Sequence, residues 1–204
     1  MSESPSNYAD RMSRSGTKQE RHRSTVSASC PTLSIRIDSA YDGAMSEKVL
    51  TSTQLAPILA QARVQKKRIV FTNGCFDLMH VGHTRYLQEA KRLGDLLVVG
   101  VNSDSSVRSL NKAQDRPIVS DVQRAEVVAA LGCVDYVVIF TEPDPLNLIT
   151  RLQPDVLVKG GDWSVERIVG REIVEARGGV VKTVPLVPGM STTSLIQQIR
   201  ALST

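Results

Sequence analysis

The sequence predicts a single α/β domain in which five parallel strands form a doubly wound sheet with helices on both faces. Three observations carry this reading. Short runs rich in Val and Ile recur after Lys67, and because nearly every residue in them is apolar they read as strands buried on both faces. Between them lie segments with apolar residues at helical spacing, several closed by glycine. The two kinds of segment alternate through five β-then-α units, the pattern of a parallel sheet with right-handed crossovers.

Residues 1–44 are rich in Ser, Arg and small polar residues with no sustained period of either kind, so they predict a disordered extension. Residues 45–67 contain "TSTQLAPILAQARVQKK", which predicts a capped amphipathic helix with Pro57 in its first turns. Residues 68–204 form the domain proper. Its predicted strands are "RIVF", "LLVVGV", "YVVIF", "VLVKG" and "VVKTVPLV". The helix "HTRYLQEAKRLG" ends at Gly94, and "SDVQRAEVVAALG" opens with Ser120 and Gln123 in capping-box spacing and ends at Gly132. "SVERIVGREIVEARGG" and "STTSLIQQIRAL" complete the helices.

Composition excludes several classes. No apolar run approaches the roughly 20 residues needed to cross a bilayer, and the N-terminus has no apolar signal core, so a cytoplasmic protein without a membrane partner is expected. Cys30, Cys75 and Cys133 are odd in number and widely separated, which suits neither a disulfide framework nor a CxxC knuckle. The net charge of +4 comes without a dense Lys/Arg block interleaved with aromatics, so no nucleic-acid partner is expected. A basic pocket for a phosphorylated small molecule gives the same balance.

The chemistry concentrates in "IVFTNGCFDLMHVGHTRYL", directly after the first strand of the domain. In doubly wound sheets ligands sit beyond the carboxyl ends of the strands. A helix beginning near His80 aims its unpaired N–H groups and positive dipole end there, with His80 and His83 on one face, which makes an anion site. Gly82 leaves no side chain between the rings, so a phosphate can approach the backbone. Two other readings stand beside this one. The pair is a zinc half-site, although the only other histidine is His22 and no HExxH is present, so no metal site is assigned; or it is purely structural. A second cluster closes the chain in "VPLVPGMSTTSLIQQIR", where a turn at Gly189 leads to Ser191, Thr192 and Thr193 at a helix start. Both helix starts follow parallel strands and so face one edge of the sheet, an arrangement suited to a polyphosphate. No GxxxxGK(S/T) is present, and no GxGxxG follows the first strand.

"NGCFDLMHVGH" resembles the G/T-x-F-D-x-x-H-x-G-H signature of the cytidylyltransferase-like nucleotidyltransferases, and "GMSTT" resembles their ISTT-type motif. Class I aminoacyl-tRNA synthetases carry a relative of HxGH, but this chain is far shorter and has no KMSKS-like segment. "VNSD", "QRAEVVAAL" and "LVKGGDW" narrow the similarity, over roughly Arg68 to Leu202, to the branch acting on D-glycero-β-D-manno-heptose 1-phosphate. The resemblance implies a Rossmann-like domain that transfers AMP from ATP to that sugar phosphate, giving ADP-heptose and pyrophosphate, with Mg²⁺ carried on the ATP. Many relatives are fused to a ribokinase-like sugar kinase and this sequence shows none, so a separate heptose kinase is expected to supply the substrate; a homodimer, which related enzymes often form, is a further expectation.

Carried onto this chain, the resemblance makes His80, His83 and Arg124 the catalytic residues. The nucleotide falls to Cys75, Phe76, Lys159, Asp162, Gly189, Ser191, Thr192 and Thr193, together with the catalytic three. Asp77 binds sugar hydroxyls or Mg²⁺, or else braces the turn. Lys112 and Arg116 grip the sugar phosphate, although relatives show Lys-Gly shortly before "RP" where this chain reads "SLNKAQDRPI". Trp163 is a lid or a packing residue. The alternatives are a glycerol-3-phosphate cytidylyltransferase-type enzyme of the same fold and a nucleotide-binding module without activity.

Overall fold

The computed structural model describes residues 45–110, 116–161 and 163–202. The predicted extension 1–44 and the site candidates Lys112 and Asp162 lie outside these residues. Five strands, β1 (Ile69–Gly74), β2 (Leu96–Asn102), β3 (Tyr136–Phe140), β4 (Val156–Gly160) and β5 (Val180–Val184), form one sheet in the order β3-β2-β1-β4-β5. Every pairing is parallel. The helices are α1 (Ser52–Val64), α2 (Val81–Lys91), α3 (Asp104–Ser109), α4 (Asp121–Ala129), α5 (Leu146–Leu152), α6 (Arg171–Ala176) and α7 (Thr192–Ala201).

Alternation along the strands splits their side chains between two cores. Val70, Leu97, Val99 and Val101 pack with Tyr86, Leu87 and Ala90 of α2 and with Ala125 and Val128 of α4. Ile69, Phe71 and Val98 pack instead with Leu55 and Leu59 of α1 and with Leu148 and Ile149 of α5. The sheet is therefore covered on both faces, as predicted. Each fully buried Leu, Ile or Val adds roughly 1.5–3 kcal/mol from removal of apolar surface from water.

Local chemistry sets the element ends. Thr51 and Gln54 close a capping box at the start of α1, and the helix carries Pro57 inside it. The capping box predicted for α4 does not form: Ser120 makes no cap bond, and its hydroxyl lies 3.1 Å from Gln123 Oε1. The single helix predicted across "SVERIVGREIVEARGG" is broken into a 3₁₀ turn, Val165–Arg167, and α6. Between them Gly170 takes φ +86°, outside the helical range, and a Cβ there would sit 2.5 Å from Ile149. Strand β5 is not buried on both faces, because it is an edge strand with Lys182 and Thr183 exposed.

The order of strands places the site. The chain runs from β1 through β2 to β3 on one side, then returns to put β4 on the other side of β1. The crevice at that reversal opens beyond the carboxyl ends of β1 and β4, where such sheets bind ligands. Lys159 at the end of β4 reaches across it, with Nζ donating to the Asn73 side chain and lying 3.4 Å from the Asn73 carbonyl oxygen. Among the described residues no helix is long and apolar enough to cross a membrane.

Candidate active site

Strand β1 ends in a tight turn, Cys75–Met79, and α2 begins at once. The turn is strained: Phe76 takes φ +48°, a left-handed conformation uncommon for a bulky residue, and its ring sits over Gly74, where a Cβ would come within 3.1 Å. His80 is the N-cap of α2, and its Nδ1 accepts a hydrogen bond from the Gly82 N–H at 3.1 Å. An accepting Nδ1 carries no proton, so the proton of this ring resides on Nε2, which is left as a donor.

The ring of His83 stacks on that of His80 with centroids 3.9 Å apart, and Phe76 meets it edge-on at 5.3 Å. Burial, then the charges of His80 and Arg116, push the His83 pKa down from 6.5 to about 4. Burial also lowers His80. Both rings are therefore neutral at pH 7, each with one N–H to give. His83 Nδ1 is buried and has no hydrogen-bond partner among the described residues. The vacancy over Gly82 predicted for a phosphate is instead filled by His80: a Cβ on Gly82 would meet that ring at 2.8 Å.

The second helix start lies beside the first. Gly189 takes φ +75°, the left-handed conformation that lets the chain turn into α7. Ser191 and Ser194 form a capping box, so the Ser191 hydroxyl serves the helix. Thr192 is buried, its Oγ1 3.4 Å from the Leu78 carbonyl oxygen in the turn before α2. A Cβ on Gly82 would lie 3.4 Å from Met190 Cβ, so the two helix starts are in contact. Thr193 is exposed, and the first N–H groups of α7, like those of any helix, have no partner four residues back. His80, His83 and the 189–193 segment are thus brought together.

Two further candidates, Arg124 and Asp77, are bound to protein groups. The side chain of Arg124, expected at the nucleotide, is wholly buried and its donors turn inward. Nε donates to the Val119 carbonyl at 2.9 Å, Nη1 to the Cys75 carbonyl at 2.5 Å, and Nη2 to Asp104 at 2.8 Å. Asp77 was expected to meet sugar or Mg²⁺, with bracing as the alternative, and it braces. Its fully buried carboxylate accepts from Arg116 Nε at 3.0 Å and from the Ile118 and Val119 N–H groups at 2.9 and 3.0 Å. Arg116 is held by that pair close enough for its charge to act on His83. Lys159 Nζ lies 5.8 Å from the ring centroid of the exposed Trp163, so these two candidates share the β4 side of the crevice.

Among the described residues no cluster of three His, Cys, Asp or Glu is arranged to hold a metal ion. A separate cavity of about 480 Å³ lies at the outer edge of β3, lined by Ser52, Phe140, Glu142 and Arg151 among others, and none of the candidate residues lines it.

The His83 shift fixes a pH dependence. Between about 4 and 6.5 the His83 side chain binds more protons in the unfolded chain than in the folded one. The stability this group contributes is therefore whole above pH 6.5 and is lost as the pH falls towards 4. Thermal unfolding followed across that window is expected to show a falling midpoint, and His83→Gln to flatten the slope.

An α/β sheet with two helix starts and a neutral imidazole pair converging at its switch point defines a nucleotide-binding protein. The family model described as Cytidylyltransferase-like matches residues 71–198, and the chain belongs to that family. The chain is 56% identical over 153 residues to the "Bifunctional protein HldE" of Geotalea uraniireducens (strain Rf4), covering 75% of this chain and 31% of that protein. It is 55% identical over 152 residues to the protein of the same name from Geobacter sulfurreducens, covering 74% of this chain and 31% of the relative. It thus spans about a third of the length of these relatives. Among solved structures, the lipopolysaccharide core biosynthesis protein from Thermoplasma volcanium GSS1 matches at 31% identity and TM-score 0.50, over 59% of this chain and 97% of that one. Pantoate-beta-alanine ligase from Francisella tularensis shares the fold at TM-score 0.53 and 15% identity, over 79% of each chain.

Proposed function

We propose that this chain transfers AMP from ATP to D-glycero-β-D-manno-heptose 1-phosphate, giving ADP-heptose and pyrophosphate. The contact between the starts of α2 and α7 carries the reading, because it sets two sets of anion donors on one crevice. The identity to the bifunctional HldE proteins supports the choice of sugar and base over a cytidylyltransferase acting on glycerol 3-phosphate.

A sugar phosphate with a second pKa near 6 is already an anionic nucleophile at pH 7, so no general base is required. Its oxygen attacks the α-phosphorus in line, the bond to the bridging oxygen of pyrophosphate breaks, and charge builds on the equatorial oxygens and on the leaving group. His80 Nε2–H, the His83 N–H and the first N–H groups of α7, at Thr192 and Thr193, oppose that charge. Mg²⁺ enters with the triphosphate as part of the substrate; the buried carboxylate of Asp77 already accepts from three protein donors and does not suit a metal. Arg116 and Lys112 are assigned to the acceptor's phosphate, and Lys159 and Asp162 to the base or ribose. A heptose kinase supplies the acceptor, and the enzyme works in the cytoplasm.

Pyrophosphate release, measured with ATP or CTP against heptose 1-phosphate or glycerol 3-phosphate, tests this. Turnover with ATP and the heptose is expected; turnover only with CTP contradicts the assignment.

A further inference from the structure

The geometry points to Asp104 as a positioning residue for the nucleotide site, acting through Arg124. The inference rests on ATP being the ligand of the crevice, as proposed above.

A continuous line of contacts runs from Asp104 to the histidine pair. Asp104 opens α3, directly after β2, and its Oδ1 accepts from Arg124 Nη2 at 2.8 Å. Arg124 is the bulkiest of the fully buried side chains, and Asp104 is its ion-pair partner. A buried guanidinium that loses its carboxylate partner is strongly unfavourable, so it moves or admits water. The same guanidinium donates to the Cys75 carbonyl at 2.5 Å. Cys75 precedes Phe76, whose left-handed backbone persists only while its surroundings hold it there. The Phe76 ring in turn meets His83 edge-on, and His83 stacks on His80.

Asp104 itself is held from behind, because its N–H donates to Asp121 Oδ2 at 3.0 Å. Asp121 opens α4, the helix that carries Arg124, so the two helix starts are locked together around the ion pair. The Asp104 carboxylate, 28% exposed, faces Arg124. Its effect on the site therefore passes through the Cys75–Phe76 turn. Removing the carboxylate frees Arg124 Nη1 from the Cys75 carbonyl, relaxes the turn, and shifts Phe76 away from the histidines.

The test is the ATP dissociation constant of the folded chain, measured by equilibrium titration in the presence of Mg²⁺, with thermal midpoints recorded on the same samples. Asp104→Ala is expected to weaken ATP binding ten- to a hundredfold. Asp104→Glu, which restores the carboxylate in a partly exposed position, is expected to bind within about fivefold of the parent. A carboxylate that merely stabilised the fold would lower the midpoint and leave the affinity of the folded protein unchanged. Should the alanine chain not fold, Asp104→Ser, whose hydroxyl suits a helix first turn but falls short of Nη2, takes its place with the same expectation. Binding by the Ala or Ser variant within threefold of the parent overturns the inference, as does equal weakening in the Glu variant. A parent chain that binds no ATP overturns the proposed function and this inference with it, whereas a parent that binds ATP confines any failure to Asp104.

Discussion

His83→Ala is expected to lower kcat by about 10²- to 10³-fold while changing the KM for ATP less than threefold, the pattern for losing one donor that matters chiefly in the transition state. The reason lies in the stack. His83 is the inner of two neutral imidazoles, held between the His80 ring at 3.9 Å and the Phe76 edge at 5.3 Å, and it cannot swing away from the developing charge. In the proposed complex, ground-state binding of the triphosphate draws on the His80 ring and on the first N–H groups of α7, which the substitution leaves in place. A kcat within threefold of the parent contradicts the role.

Gly82→Ala is expected to cost about 10²-fold in kcat with little change in stability. A Cβ there would lie 2.8 Å from both Cε1 and Nδ1 of His80, so the imidazole must rotate out of the site. Rotation abolishes the cap bond from the Gly82 N–H, worth about 1 kcal/mol, while alanine gains about the same over glycine inside a helix. Activity and thermal midpoint measured on one preparation separate the two effects. An alanine protein with full activity, or one that fails to fold, contradicts the geometry.

Much of this arrangement was legible in the sequence, for physical reasons. A strand buried on both faces leaves a continuous apolar run, and β1, β2, β3 and β4 each announced themselves that way. HxGH and the Ser/Thr cluster were legible because helix starts after parallel strands must share one edge of the sheet. What was missed depends on distant partners. Asp77 finds its donors in residues 116–119, so spacing could not distinguish a brace from a ligand. Arg124 shares a stripe with Ala125, Val128 and Ala129, all buried, the local signal that its side chain turns into the core. Asp104 stood in "VNSD" with no local sign of its ion pair. Helix α3 is not legible because a six-residue, serine-rich segment has little helical period to show.

A structure of the chain with a non-hydrolysable ATP analogue tests the central claim most directly. The account predicts one triphosphate with oxygens within about 3.2 Å of His80 Nε2 and also of the Thr192 or Thr193 N–H. A nucleotide bound at only one of the two helix starts, or outside the crevice beyond β1 and β4, contradicts it.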